Sequence, residues 1–182
     1  MLGKSNLLAF SFRALVLLLL VPLLWLTVAR QYNEALVVLA QRLLPDGLAL
    51  SALGTHIMID YSEAARPFSV DGFTLHYGLI LMTVLILASV GLDLLPRIGW
   101  LLAFAAGGFA LHVVGVALLA RGVAWSSADS SAGGSVSLVL RLFAIFWGLV
   151  PAVAGGAWAL LYWLPRMSVQ PSAETANAAQ PP

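Results

Sequence analysis

The sequence predicts a mostly α-helical membrane protein: a four-transmembrane-helix bundle with a small external amphipathic helix and β-hairpin cap between spans one and two. Three observations predict it. Of 182 residues, 61% are hydrophobic and 9% charged, against about 25% charged and about 45–50% apolar in a soluble domain. Mean hydropathy is +0.96. Four apolar runs lie along the chain, and the one long segment between them that is not apolar, Arg30 to Tyr77, changes from a helical to a two-residue period. The expected organisation is a tail and first span over 1–29, an external cap over 30–77, a three-helix membrane region over 78–166 and a disordered tail over 167–182.

Span one follows Lys4 and Arg13. Ala14 to Ala29 is apolar apart from Thr27, and with Phe10–Phe12 in front it reaches the ~20 residues a spanning helix needs. Pro22 inside it reads as a tolerated kink. A cleaved leader is the competing reading, because Thr27-Val28-Ala29 resembles a small-residue cleavage site. The length of the run and Trp25 near its end, suited to an interfacial anchor, favour a span.

Arg30 to Leu44 keeps helical spacing while gaining polarity. Ala35, Leu36, Leu39, Ala40, Leu43 and Leu44 form one stripe, as in a helix lying on the membrane surface; a plain extension of span one is the alternative. Pro45-Asp46-Gly47 ends it. Leu48 to Tyr61 changes period, and in Thr55–Tyr61 it becomes two: Ile57, Ile59 and Tyr61 share one face, His56, Met58 and Asp60 the other. Residues 62–67 read as a turn. Phe68 to Leu75 reads as a hairpin about Asp71-Gly72, since Asp-Gly supplies the positive φ angles of a tight turn.

Span two is Gly78 to Leu92, entered through His76-Tyr77. Asp93 and Arg97 bracket a tight loop and are expected to form a solvated pair. Span three is Ile98 to Ala120, and a Ser/Gly/Ala-rich loop covers 122–135. Span four is Val136 to Leu164, with Tyr162 and Trp163 as interfacial anchors. Basic residues flank span one at its start, and their density places both termini in the cytoplasm and the cap outside.

Ionisable groups within spans mark function by default. His76, His112 and Arg141 all fall in the outer half of the bundle, with Gly108 and Gly115 on the His112 face. They form a candidate polar cluster, against which stands the plainer reading of a hydrogen-bonded core histidine and a snorkelling arginine. His76 and His112 are expected to differ in depth by about two helical turns, too far apart to share a haem. Ala144, Gly148, Ala152 and Gly156, four apart on span four, make a smooth face suited to close helix approach. That face serves either packing within the bundle or a partner. A net charge of +1 with a single lysine gives no nucleic-acid footprint. Zero cysteines remove disulfides and thiolate chemistry. No cofactor or metal site is expected.

Three stretches carry a family resemblance: Phe12-Arg13-Ala14-Leu15, Ala40-Gln41-Arg42-Leu43-Leu44-Pro45, and Leu75-His76-Tyr77-Gly78-Leu79. With the order of parts over residues 10 to 166, they resemble the exosortase and archaeosortase class, and more closely its small exosortase H-associated membrane proteins. The resemblance implies a bacterial inner-membrane protein of C-terminal protein sorting. The class relies on a Cys, then an Arg, then a His near the outer face. Here no Cys exists and His112 precedes Arg141, so neither carries over as catalytic. The departure implies a non-enzymatic accessory protein whose partners are membrane lipids and another membrane protein, the sorting enzyme or its substrate tail. A membrane enzyme acting on a lipid or peptide through His112 and Arg141, or a structural envelope-complex protein, are the alternatives.

Overall fold

The structure is a computed structural model. It describes residues 4–61, 68–128 and 133–163, with side chains over 8–61, 68–125 and 138–162. The 62–67 turn and the 167–182 tail lie outside the described residues. The order is α1 (Lys4–Gln41), β1 (Leu48–Leu53), β2 (His56–Tyr61), β3 (Phe68–Asp71), α2 (Gly72–Ala88), α3 (Leu94–Ala128) and α4 (Gly133–Trp158), which runs on into a π-helical turn, Ala159–Trp163.

Three stretches are long and apolar enough to cross a bilayer: Leu8–Gln41, Leu94–Trp125 and Leu138–Tyr162. At 1.5 Å per residue, the 38 residues of α1 reach ~57 Å and the 35 of α3 ~52 Å, well beyond the ~30 Å of hydrocarbon. Both helices therefore overshoot at one end, and the sheet packs on the excess. The expected external helix is not a separate element. No proline or glycine falls between Leu23 and Leu44, so α1 runs unbroken through Arg30 to Gln41. Its buried face there is Ala29, Asn33, Leu36, Val37 and Ala40, while Ala35, Leu39 and Leu43 are exposed. The predicted stripe is thus rotated toward the sheet.

The cap is one antiparallel sheet in the order β1-β2-β3. Leu48 pairs with Tyr61 and Leu53 with His56, around Gly54 at φ +61, the positive φ a two-residue hairpin turn needs. The two-residue period of β2 holds, with Ile57 and Ile59 fully buried and His56 and Asp60 exposed. Leu50, Ile57 and Ile59 pack with Leu36 and Ala40 of α1 and with Leu119 and Val123 of α3 in one core. Gln41 fastens β1 to α1: its Nε2 donates to the Leu48 carbonyl (2.8 Å) and its Oε1 accepts from Leu50 N (2.7 Å). Arg121 of α3 donates to the Leu43 carbonyl just past the end of α1.

The expected Asp71-Gly72 hairpin turn is instead a helix start. The Asp71 carboxylate accepts from Phe73 N (3.2 Å) and Thr74 Oγ1 (3.1 Å), which satisfies donors that a first turn leaves open. Gly72 N donates to the Thr55 carbonyl (2.8 Å), and a Cβ at Gly72 would meet that same oxygen at 2.5 Å. Glycine is required by close approach, not by turn geometry.

Helix α2 is apolar all round and buried along its length by the other three helices, as expected of a central helix. Its 17 residues span ~26 Å, shorter than a free-standing span requires. At its far end Arg97 does not pair with Asp93. Its Nη2 donates to the Ser89 and Leu92 carbonyls (both 2.8 Å), placing a cation where helix carbonyls lack partners. Asp93 is exposed. Tyr162 is buried, its hydroxyl donating to the Val90 carbonyl (3.2 Å), and Trp158 donates to Ser89 Oγ (3.2 Å). Tyr162 is therefore a clamp and not a surface anchor. The expected Ser/Gly/Ala loop shrinks, because α3 continues to Ala128 and α4 begins at Gly133.

Candidate functional site

All four helices meet at a buried polar and aromatic cluster beneath the sheet. Helix α1 contributes Trp25 and Tyr32, seven residues apart and so on one face, with Asn33 beside them. His76 comes from the first turns of α2, His112 from α3 and Trp147 from α4. His76 is 0% exposed and His112 4%.

The Trp25 indole N–H donates to His76 Nδ1 (3.1 Å). An indole can only donate, so Nδ1 is the acceptor and the neutral ring carries its proton on Nε2. That Nε2 is buried without a hydrogen-bond partner among the described residues, as is Asn33 Oδ1. Tyr32 Oη and His112 Nδ1 are 2.6 Å apart. The Tyr32 ring stands edge-on to His76 (centroids 4.6 Å), Phe109 (5.2 Å) and His112 (5.8 Å), an arrangement that suits ring quadrupoles. Trp147 lies against His112 (5.0 Å), stacks on Phe143 (5.2 Å, 13°), and donates to the Leu75 carbonyl (2.8 Å). Tyr77 donates back to the Trp147 carbonyl (3.0 Å), so α2 and α4 are bonded in both directions.

The structure brings His76 and His112 together, with ring centroids 5.5 Å apart and planes tilted by 33°. The expected two-turn difference in depth is absent, because α2 starts at Gly72 and His76 sits inside the helix, not above it. The two rings touch, with Trp25, Tyr32, Phe109 and Trp147 around them, and no gap for a macrocycle separates them. Arg141 is not part of the cluster. It is exposed, six residues (~9 Å) from Trp147 along α4 and about a third of a turn around it. Among the described residues no group of three metal-binding side chains occurs. Trp25, expected as an interfacial anchor, instead bonds His76 within the bundle; Tyr32, Asn33 and Trp147 are not marked out by the sequence. The i, i+7 spacing of Trp25 and Tyr32 was the available signal.

The second candidate feature is on α4. Ala144, Gly148, Ala152 and Gly156 are all exposed. A Cβ at Gly148 would meet only Tyr77 Oη at 3.7 Å, and at Gly156 nothing within 4 Å. The face does not pack against α3, which instead takes Trp147 and Val139 into Gly115 and Gly122. Pro151 packs its ring on Gly78 of α2. Arg141 heads the small-residue face at the end nearer the sheet.

No family model matches this chain, and no curated protein or solved structure does either.

Proposed function

We propose that this chain is a four-span accessory protein of the bacterial inner membrane with no catalysis of its own, which holds a partner's transmembrane helix against α4. The family resemblance makes that partner an exosortase-type sorting enzyme or the membrane tail of its substrate. Helix α2 crosses as the fourth span because the longer helices surround it. The observation that carries the reading is the open small-residue face of α4. Small residues let two backbones approach in lipid, where apolar burial gives little drive of its own, and here no other part of the described chain uses that closeness. The chain also holds no cysteine to serve as the nucleophile of the class.

The test is crosslinked co-purification from native membranes, with Gly148→Leu and Gly156→Leu compared with the unchanged chain. The expected result is loss of the sorting enzyme or the tail-bearing substrate from the eluate while the variants stay membrane-inserted. Unchanged recovery overturns the docking face. A second reading, a membrane enzyme acting through His112, draws on the short Tyr32–His112 hydrogen bond. His112→Ala separates the two: the accessory reading keeps partner recovery dependent on α4, while the enzyme reading loses product with recovery intact.

A further inference from the structure

A cleft of about 400 Å³ runs between α3 and α4 beside the aromatic cluster, which shares His112 and Trp147 with its wall, and is floored by Gly78 and Leu79 of α2. On α3 its wall extends from Trp100 to His112, twelve residues or ~18 Å. A helix ~10 Å across would fill roughly 1,400 Å³ over that length, well above the volume of the cleft. A partner helix does not fit into it; a single hydrocarbon chain does. Ala103, Gly107 and Gly108 line it, so its narrowness comes from close helices and its depth from missing side chains. The one titratable group on its wall is His112, and that ring's Nδ1 is already engaged by Tyr32.

At the end away from the sheet, a second cavity of about 480 Å³ shares Trp100, Phe104 and Ala154 with the first and opens beside Gly91, Asp93 and Pro96. Asp93 is the one charged residue that lines this mouth among the described residues. Arg97, the nearest cation in sequence, turns its guanidinium onto the Ser89 and Leu92 carbonyls. The exposed Asp93 carboxylate has no ion pair among the described residues.

We infer that the α3/α4 cleft is a lipid site: one acyl chain lies along it from Trp100 toward His112, and the headgroup at the far mouth is an aminophospholipid whose ammonium faces Asp93. A phosphatidylethanolamine meets both requirements. A phosphatidylglycerol supplies the chain but no cation for Asp93. The inference rests on the chain being embedded in a membrane and is independent of any sorting partner, because the cleft and the small-residue face are on different sides of α4.

The experiment is native mass spectrometry of the full chain, extracted from vesicles of equimolar phosphatidylethanolamine and phosphatidylglycerol. The unchanged protein is expected to retain one phosphatidylethanolamine. Gly107→Leu fills the cleft without touching the fold, since a Cβ at Gly107 meets nothing within 4 Å, and is expected to lose the lipid. Gly99→Leu is equally unhindered but lies outside the cleft, and is expected to keep it. Asp93→Asn is expected to bind a lipid with the headgroup preference gone. A bare unchanged protein, a Gly107→Leu variant that still carries lipid, or an Asp93→Asn variant with the preference intact overturns the assignment. So does a Gly107-dependent protein dimer in place of a lipid adduct.

Discussion

Gly115 and Gly156 are the same residue on neighbouring helices in opposite situations. A Cβ at Gly115 would come within 2.6 Å of the Trp147 ring, whereas at Gly156 it would meet nothing within 4 Å. Gly72, Gly78 and Gly108 belong with the first, closed against Thr55, Pro151 and Leu79; Gly99 and Gly107 belong with the second. The closed set shows how the bundle is assembled, by backbone approach around a central α2. The open set does nothing for the fold. Glycine costs about 0.8–1.0 kcal/mol relative to alanine in a helix interior, so glycines on an open face weaken their own helix and give room to another molecule.

The sharpest way to break this contrast is at Gly72. Alanine there drives a Cβ into the Thr55 carbonyl and the Asn33 amide at once. A backbone oxygen cannot rotate away, and the Gly72–Thr55 hydrogen bond that continues the sheet into α2 must lengthen. The expected loss is about 3 kcal/mol, at the upper end for overpacking, read as a lower thermal midpoint in detergent and reduced yield.

Gly115→Ala comes next. It meets the six-membered ring of Trp147 at Cζ3 and Cη2, and that ring is stacked on Phe143 and bonded through its indole N–H to Leu75. A ring held on one face and at its N–H gives little, so a loss of about 2 kcal/mol is expected. Gly108→Ala presses on the free end of Leu79 and should cost under about 1 kcal/mol by the same reasoning. Thermal unfolding of the pair orders them; equal losses would show that Trp147 is free to move.

Tyr32→Phe tests the cluster that the closed glycines make possible. It removes the hydroxyl at 2.6 Å from His112 Nδ1 and leaves a buried ring nitrogen unpaired, at a cost of about 1–2 kcal/mol. The cluster acts as a lock between helices, so stability is expected to fall while recovery of the partner proposed for α4 does not. A loss of product without a loss of stability would assign Tyr32 to chemistry instead.

Much of this was legible in the sequence, and the failures share a cause. Apolar run length located α1, α3 and α4, and two-residue alternation located β2, because burial on one face writes itself into neighbouring residues. Asp71-Gly72 is ambiguous, because a hairpin turn and a helix N-cap both favour Asp, and the glycine after it answers to a close approach that the local sequence does not show. What separates them is the Thr55 carbonyl, which approaches from another strand. Leu48 to Leu53 has no polar alternation, and its strand exists through its pairing with β2. Arg30 to Gln41 carries charge enough to look like a surface helix, yet with no breaker it stays in register with the span below it. His76 and His112 read as separated because the continuous apolar run opens at Gly78, six residues after the start of α2 at Gly72. Arg141 reads as convergent because position along a span gives depth but not azimuth, and its azimuth leaves it exposed. The small residues of α4 were visible, but their being open depends on which face α3 occupies, and that is decided by Trp147 finding the hollow at Gly115.

The smallest expected effect is the most discriminating. Gly148→Leu places its side chain near Tyr77 Oη, at ordinary van der Waals distance for the Cβ, and Gly156→Leu meets nothing. Neither position is buried, and leucine is a better helix former than glycine by several tenths of a kcal/mol. The thermal midpoint should therefore hold within the ±0.5 kcal/mol usual for exposed sites, or rise. If it instead falls as at Gly115, the face is covered by this chain's own residues and offers nothing to a partner. A held midpoint together with lost co-purification is the combination that only an open docking face produces, because the variant then removes a contact the folded chain never made with itself.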